Sequence, residues 1–158
     1  MKAFSSLLAG LARDRSGVAA VEFGLLLPVF ALVCVGAIDF GLAFDAKLRL
    51  ATAVGEGAQF AFLNGASVQA SQVQTVVQSA STLSPLSVTV TYSPNSCYCL
   101  AGSPVALTAQ TCGSNCANGT PAGKYVSIAA TYTYPAIFPT YALLANPVLT
   151  ETVTARVQ

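Results

Sequence analysis

The chain has no histidine, and only 8% of its 158 residues are charged. Without histidine, neither a Ser-His nor a Cys-His nucleophile pair can form. It also has no G-x-S-x-G, no glycine-rich phosphate cradle and no carboxylate-rich metal cluster. Beyond Glu56 the one acidic side chain is Glu151, so general acid–base chemistry has almost no titrating group to use. These absences point to a protein that is not an enzyme, takes no cofactor or metal and acts on no small-molecule substrate. A formal net charge of +1 gives no reason to expect a nucleic-acid partner. From Gly57 to Gln158 the charged side chains are Lys124, Glu151 and Arg156 alone. A domain so poor in charge associates readily, which suits a subunit packed against partners.

Apolar residues are abundant, at 54% of the chain. Their densest run, Val18 to Ile38, contains one charge, Glu22. About 20 such residues in a helix cross the hydrocarbon core of a bilayer. An ionisable group in such a helix costs roughly 2.5–3.5 kcal/mol on insertion scales and usually has a partner. Ahead of the run lies a short leader, residues 1–17, with Lys2, Arg13 and Arg15; after it, Asp39, Asp45, Lys47 and Arg49 sum to zero. The lysine and arginine bias places the leader in the cytoplasm and the carboxyl-terminal region outside. A cut after Gly17 would give Val18 a new α-ammonium group one turn from Glu22, and the carboxylate would lie near a helix N-terminus, where negative charge is favoured. A secretory signal cut after Ala37, following Val35-Gly36-Ala37, is a competing reading. The apolar run is longer than the usual 7–15 residues or so of such signals, and it carries Glu22. Pro28 is expected to kink the helix without ending it, and Cys34 to behave as a small apolar residue.

The helix is expected to continue past the membrane. Asp45, Arg49, Thr52, Glu56 and Gln59 recur three and four residues apart as a polar stripe, with Asp45 and Arg49 able to pair across one turn. Phe44, Leu48, Ala51, Gly55, Ala58 and Phe62 form an adjoining apolar seam with the same period, open to the chain's own sheet or to a neighbour. Asn64-Gly65 is a fitting stop, so Val18 to Leu63 predicts one helix of about 69 Å. Val73, Val76, Val77 and Ala80 predict a short second helix. Val88 to Tyr92, Lys124 to Tyr134 and Leu149 to Val157 alternate with the period of strands. Val126, Ile128, Ala130, Tyr132 and Tyr134 share one face of the second, while Thr150, Thr152 and Thr154 face away in the third. The predicted fold class is α+β: the long helix covers a small antiparallel sheet of about three strands.

Cys97, Cys99, Cys112 and Cys116 fall in a loop, residues 95–120, rich in Gly, Ser, Asn and Thr. Outside the cytoplasm four such cysteines read as two disulfides. A nested pairing (97 to 116, 99 to 112) suits a hairpin, and the crossed pairing stays open. A structural zinc site on the same four sulfurs is the alternative. Asn118-Gly119-Thr120 matches the glycosylation sequon, a pattern short enough to arise by chance. The apolar segment 136–147 reads either as a docking surface for a subunit or the membrane, or as core folded over the sheet.

Gly17, Val18 and Glu22 resemble the processing site of type IV prepilins, and Phe23 stands where TadE-like proteins have an aromatic residue after the glutamate. More specifically, Gly17 to Phe44 resembles the amino-terminal segment of TadE-like proteins, the pseudopilins of tight-adherence (Flp-type) pilus systems. The cysteine-rich loop followed by Tyr132-Thr133-Tyr134-Pro135 is similar to those domains as well, whereas Gly24 and Pro28 depart from the pattern. The resemblance implies cleavage by a prepilin peptidase after Gly17 and charge pairing through Glu22. It also implies a transmembrane helix over 18–44 continuing outside the membrane over 45–63, and an extracytoplasmic α+β domain over 64–158. The implied partners are the peptidase, other pilins or pseudopilins and the lipid bilayer, at a bacterial inner membrane or in a pilus. An unprocessed single-span anchor presenting a binding module outside the cytoplasm is the alternative.

Overall fold

The computed structural model describes residues 16–102, 106–138 and 145–158. The expected basic leader therefore lies outside the described residues, apart from its last two. Helix α1 runs from Ser16 to Asn64, 49 residues without a break, and passes through Pro28. At 1.5 Å per residue it is about 74 Å long. Its end is built by side chains and a glycine. Asn64 Nδ2 donates to the Phe60 carbonyl at 2.9 Å, and Ser67 Oγ donates to the Asn64 carbonyl at 2.7 Å. Gly65 then takes a left-handed φ of +56°, which turns the chain into a short 3-10 segment, Gly65–Ser67.

Helix α2, Ala70–Ala80, is the expected short one, with Val73 and Val77 buried. Strands β1 (Leu86–Tyr92), β4 (Tyr125–Thr133) and β5 (Val148–Arg156) form an antiparallel sheet in the order β1-β4-β5. Between β1 and β4 a separate hairpin pairs β2 (Cys97–Ala101) with β3 (Ala106–Gln110). The sheet's inner face carries Val88, Val126, Ile128, Ala130 and Tyr132, all buried. Thr150, Thr152 and Thr154 face solvent, as the alternation predicts. Helix α1 covers β4 and β5, and α2 covers β1.

The face of α1 that does the covering differs from the expected one. Ala43, Ala46, Leu50, Ala53, Val54 and Ala61 are buried, while Phe44 is 65% and Phe62 66% exposed. Leu48 and Gly55 are exposed too, and Ala51 and Ala58 are half-buried. The buried seam is thus displaced by one residue, or about 100° around the helix, from Phe44-Leu48-Ala51-Gly55-Ala58-Phe62. Size explains the correction: the sheet and α2 approach so closely that mostly small side chains fit beneath α1. At Gly57 an added Cβ would lie 2.3 Å from Val77 Cγ2 and 3.5 Å from Ile128 Cδ1.

Polar contacts fix the same register. Glu151 sits on the inner face of edge strand β5, opposite Ala130, and meets Lys47 of α1 at 2.5 Å. Lys47 Nζ also donates to the Thr150 carbonyl. A charge held over a sheet edge discourages unwanted strand pairing. Arg49 pairs with Asp45 at 2.8 Å as expected, and its guanidinium reaches Thr82 Oγ1 at 3.1 Å, joining α1 to the segment after α2.

Two glycines two residues apart in α1 should therefore respond oppositely to the same change. Gly57→Ala forces a methyl into buried Val77 and should destabilise by about 1–3 kcal/mol, although alanine is intrinsically the better helix former. Gly55, with nothing within 4 Å of an added Cβ, should gain up to about 1 kcal/mol as Gly55→Ala. Urea unfolding of the detergent-solubilised chain checks both. A stabilising Gly57→Ala would show that the close approach is wrong.

Candidate functional site

The proximal part of α1 is left almost wholly uncovered by its own chain. Val18, Val21, Phe23, Leu25, Leu26, Phe30, Leu32 and Val33 are all exposed, and Cys34 is a free thiol on the same uncovered helix. By length and composition this helix is apolar enough to cross a membrane. Gly17 and Val18 lie in its first turn, with open space around Gly17. Glu22 lies one turn beyond Val18, on the same face because residues four apart stack along a helix. Phe23 is its exposed neighbour. Among the described residues no cation forms an ion pair with the Glu22 carboxylate; the two ion pairs there are Lys47–Glu151 and Asp45–Arg49.

Where the apolar run ends, the structure places a carboxylate that sequence reasoning counts only in the charge balance. Asp39 is 2% exposed. Its Oδ1 accepts from Tyr134 Oη at 2.9 Å and from the Ile137 N–H at 3.1 Å, and its Oδ2 accepts from the Phe138 N–H at 3.0 Å. A buried carboxylate is tolerated when donors meet its oxygens, and here three do. The local sequence arranges them. Strand β4 ends at Thr133, ahead of Pro135, which has no N–H to continue the ladder. The Tyr134 N–H instead donates to the Pro147 carbonyl at 2.8 Å, closing the base of the loop that follows. Ile137 and Phe138 then pass over Asp39 with their amides turned toward it, while their side chains stay 60% and 38% exposed. Segment 136–147 is thus tied to α1 by its backbone; residues 139–144 lie outside the described ones. The available sequence signal was an acid closing a long apolar run together with a tyrosine at the end of a strand.

The cysteine-rich hairpin is braced by two disulfides, Cys97–Cys112 and Cys99–Cys116. This is the crossed pairing, and the nested one that a simple hairpin favours is corrected. The register gives the reason. Cys97 faces Gln110 at the open end of β2-β3, so Cys112, just past Gln110, is nearer to Cys97 than to Cys99. A turn at Thr111–Ser114, closed by the Ser114 N–H on the Thr111 carbonyl at 3.1 Å, then brings Cys116 back to Cys99. All four sulfurs are consumed in disulfides, which removes the zinc alternative. Backbone bonds between Tyr98 and Gly123, at 2.8 and 3.0 Å, clip the hairpin to the entry of β4. Asn118 Oδ1 accepts from the N–H and the hydroxyl of Thr120, so the sequon residues form an exposed turn.

A family model described as TadE-like protein matches residues 17–59. The match takes in Gly17, Val18, Glu22 and Phe23, the apolar run, Asp39 and most of the distal helix, and it stops before the sheet. The likeness to TadE-like proteins read from the sequence is thus borne out over α1. No curated protein and no solved structure matches the chain.

The clasp has a local readout. In Asp39→Ala the Ile137 and Phe138 amides lose their acceptor and should exchange with deuterium markedly faster. The amides of Ile128 and Val153 in the sheet should keep their protection. Unchanged exchange at Ile137 and Phe138 would show that Asp39 does not hold the loop.

Proposed function

We propose, from the TadE-like segment at residues 17–59, that this chain is a pseudopilin or minor pilin acting in assembly of a tight-adherence (Flp-type) pilus. A prepilin peptidase removes residues 1–17, cutting between Gly17 and Val18. Val18 then carries the α-ammonium that Glu22 requires, from its own chain or from a neighbour already in the assembly. A carboxylate otherwise costing roughly 2.5–3.5 kcal/mol in the membrane becomes the group that recognises a newly cut N-terminus. The observation that carries this reading is the uncovered proximal half of α1 with an ionisable residue in it. Such a surface needs either lipid or the helices of other subunits.

The distal helix supports the same reading. Phe44, Leu48, Gly55 and Phe62 are left outward by the chain's own fold, which keeps that seam open for packing against other pilins. The disulfide-braced sheet domain faces away from the cytoplasm, as the basic leader directs. A signal-type cut after Ala37 fits poorly. It would cut α1 just ahead of Asp39 and discard the uncovered proximal part with Glu22, leaving residues 38–64 of the helix on the domain.

Sequencing the N-terminus of the membrane-extracted protein tests the processing step. The pseudopilin reading expects Val18; Met1 would indicate an unprocessed anchor and Ile38 a secreted protein. Glu22→Ala should still insert in the membrane but should lose most pilus assembly, and normal assembly by that variant would remove the pairing role from Glu22.

A further inference from the structure

Ile137 and Phe138 are the feature the pilus reading leaves unused. They are exposed apolar side chains whose own backbone amides are bonded to Asp39, one residue beyond the apolar run Val18–Ile38. Their height along α1 is therefore fixed. Twenty-one helical residues, Val18 to Ile38, rise about 32 Å, close to the thickness of a hydrocarbon core of about 30 Å. With that run in a bilayer, Ile137 and Phe138 meet the headgroup layer on the domain's side.

The surroundings at that height are apolar. Between Glu22 and Asp45 the one charged residue is Asp39, and its carboxylate is enclosed by Tyr134 and the two amides. Within five residues of Asp39 along the helix, Ile38, Leu42 and Phe44 are exposed. These exposed apolar side chains, with Ile137 and Phe138, lie at the end of the apolar run Val18–Ile38.

We propose that Ile137 and Phe138 insert into the headgroup–acyl boundary of the leaflet on the domain's side, so that the sheet domain rests on the membrane with a fixed height and orientation. The partner is the lipid surface itself. Asp39 makes this possible: its hydrogen bonds hold Ile137 and Phe138 at the bilayer surface and keep the acid out of contact with lipid. The proposal rests on α1 spanning the membrane, which belongs to the reading above, but not on cleavage after Gly17.

The chain contains no tryptophan, so single-tryptophan variants report depth without background. Phe138→Trp, Ile137→Trp, Phe30→Trp and Leu100→Trp, each in the full chain, would be reconstituted into phosphatidylcholine–phosphatidylglycerol vesicles with lipids brominated at shallow or deep acyl positions. Phe138→Trp and Ile137→Trp should emit toward the blue and lose most of their emission to shallow bromines. Phe30→Trp should be quenched by deep bromines, and Leu100→Trp, at the disulfide hairpin, by neither. If Phe30→Trp is quenched while both loop variants emit like Leu100→Trp, the loop proposal is overturned and the spanning helix stands. If Phe30→Trp escapes quenching, the spanning helix fails and the loop proposal falls with it. A loop emission that shifts to the blue only as protein density rises, without bromine quenching, would assign Ile137 and Phe138 to a second copy of the chain and overturn the lipid assignment.

Discussion

The structure depends on one helix serving two environments and on the carboxylate where they meet. Before Asp39 almost nothing of the chain covers α1; from Asp39 onward the sheet domain does. A charged side chain at such a boundary cannot be left among apolar groups without donors. Tyr134 and the Ile137 and Phe138 amides supply them from the far end of the sequence. The same three hydrogen bonds that satisfy the acid fix the domain's height on the helix. Lys47, bound to Glu151 and the Thr150 carbonyl two turns further along, adds a second attachment.

The division of α1 into faces follows from size. Close approach of the sheet and α2 favours small side chains, so Ala43, Ala46, Ala53, Gly57 and Ala61 lie inside, with Leu50 and Val54 the larger exceptions. Phe44, Leu48 and Phe62, whose burial would contribute more per residue, stay outside. For a solitary soluble protein an exposed apolar stripe of this kind is a liability. In the pseudopilin reading proposed above, it is the surface left free for lipid or for other helices.

Much of this architecture was legible in the sequence. The 3.6 and 2.0 periodicities located both helices and all three strands of the main sheet, and Asn64-Gly65 marked where α1 stops. The inward face of β4 was also legible, because alternation over nine residues leaves only one choice. The rotation of α1 was not. Two apolar stripes lie side by side on that helix, and periodicity alone favours the one with the larger residues. The disulfide pairing depended on the register of β2-β3 and on the turn after Gln110, neither of which composition encodes. Asp39 was hidden for a similar reason: its donors lie some ninety-five residues away, and two of them are backbone amides that carry no sequence signal.

The central claim is that Asp39 and Tyr134 act as one unit joining the helix to the sheet domain, and a double-mutant cycle measures this directly. Unfolding of the intact, disulfide-bonded chain would be compared for Asp39→Ala, Tyr134→Phe and the pair. Residues in one hydrogen-bond network are non-additive, whereas independent sites add. The account predicts that each single change lowers stability and that the double variant loses clearly less than the sum. Strictly additive losses would contradict it.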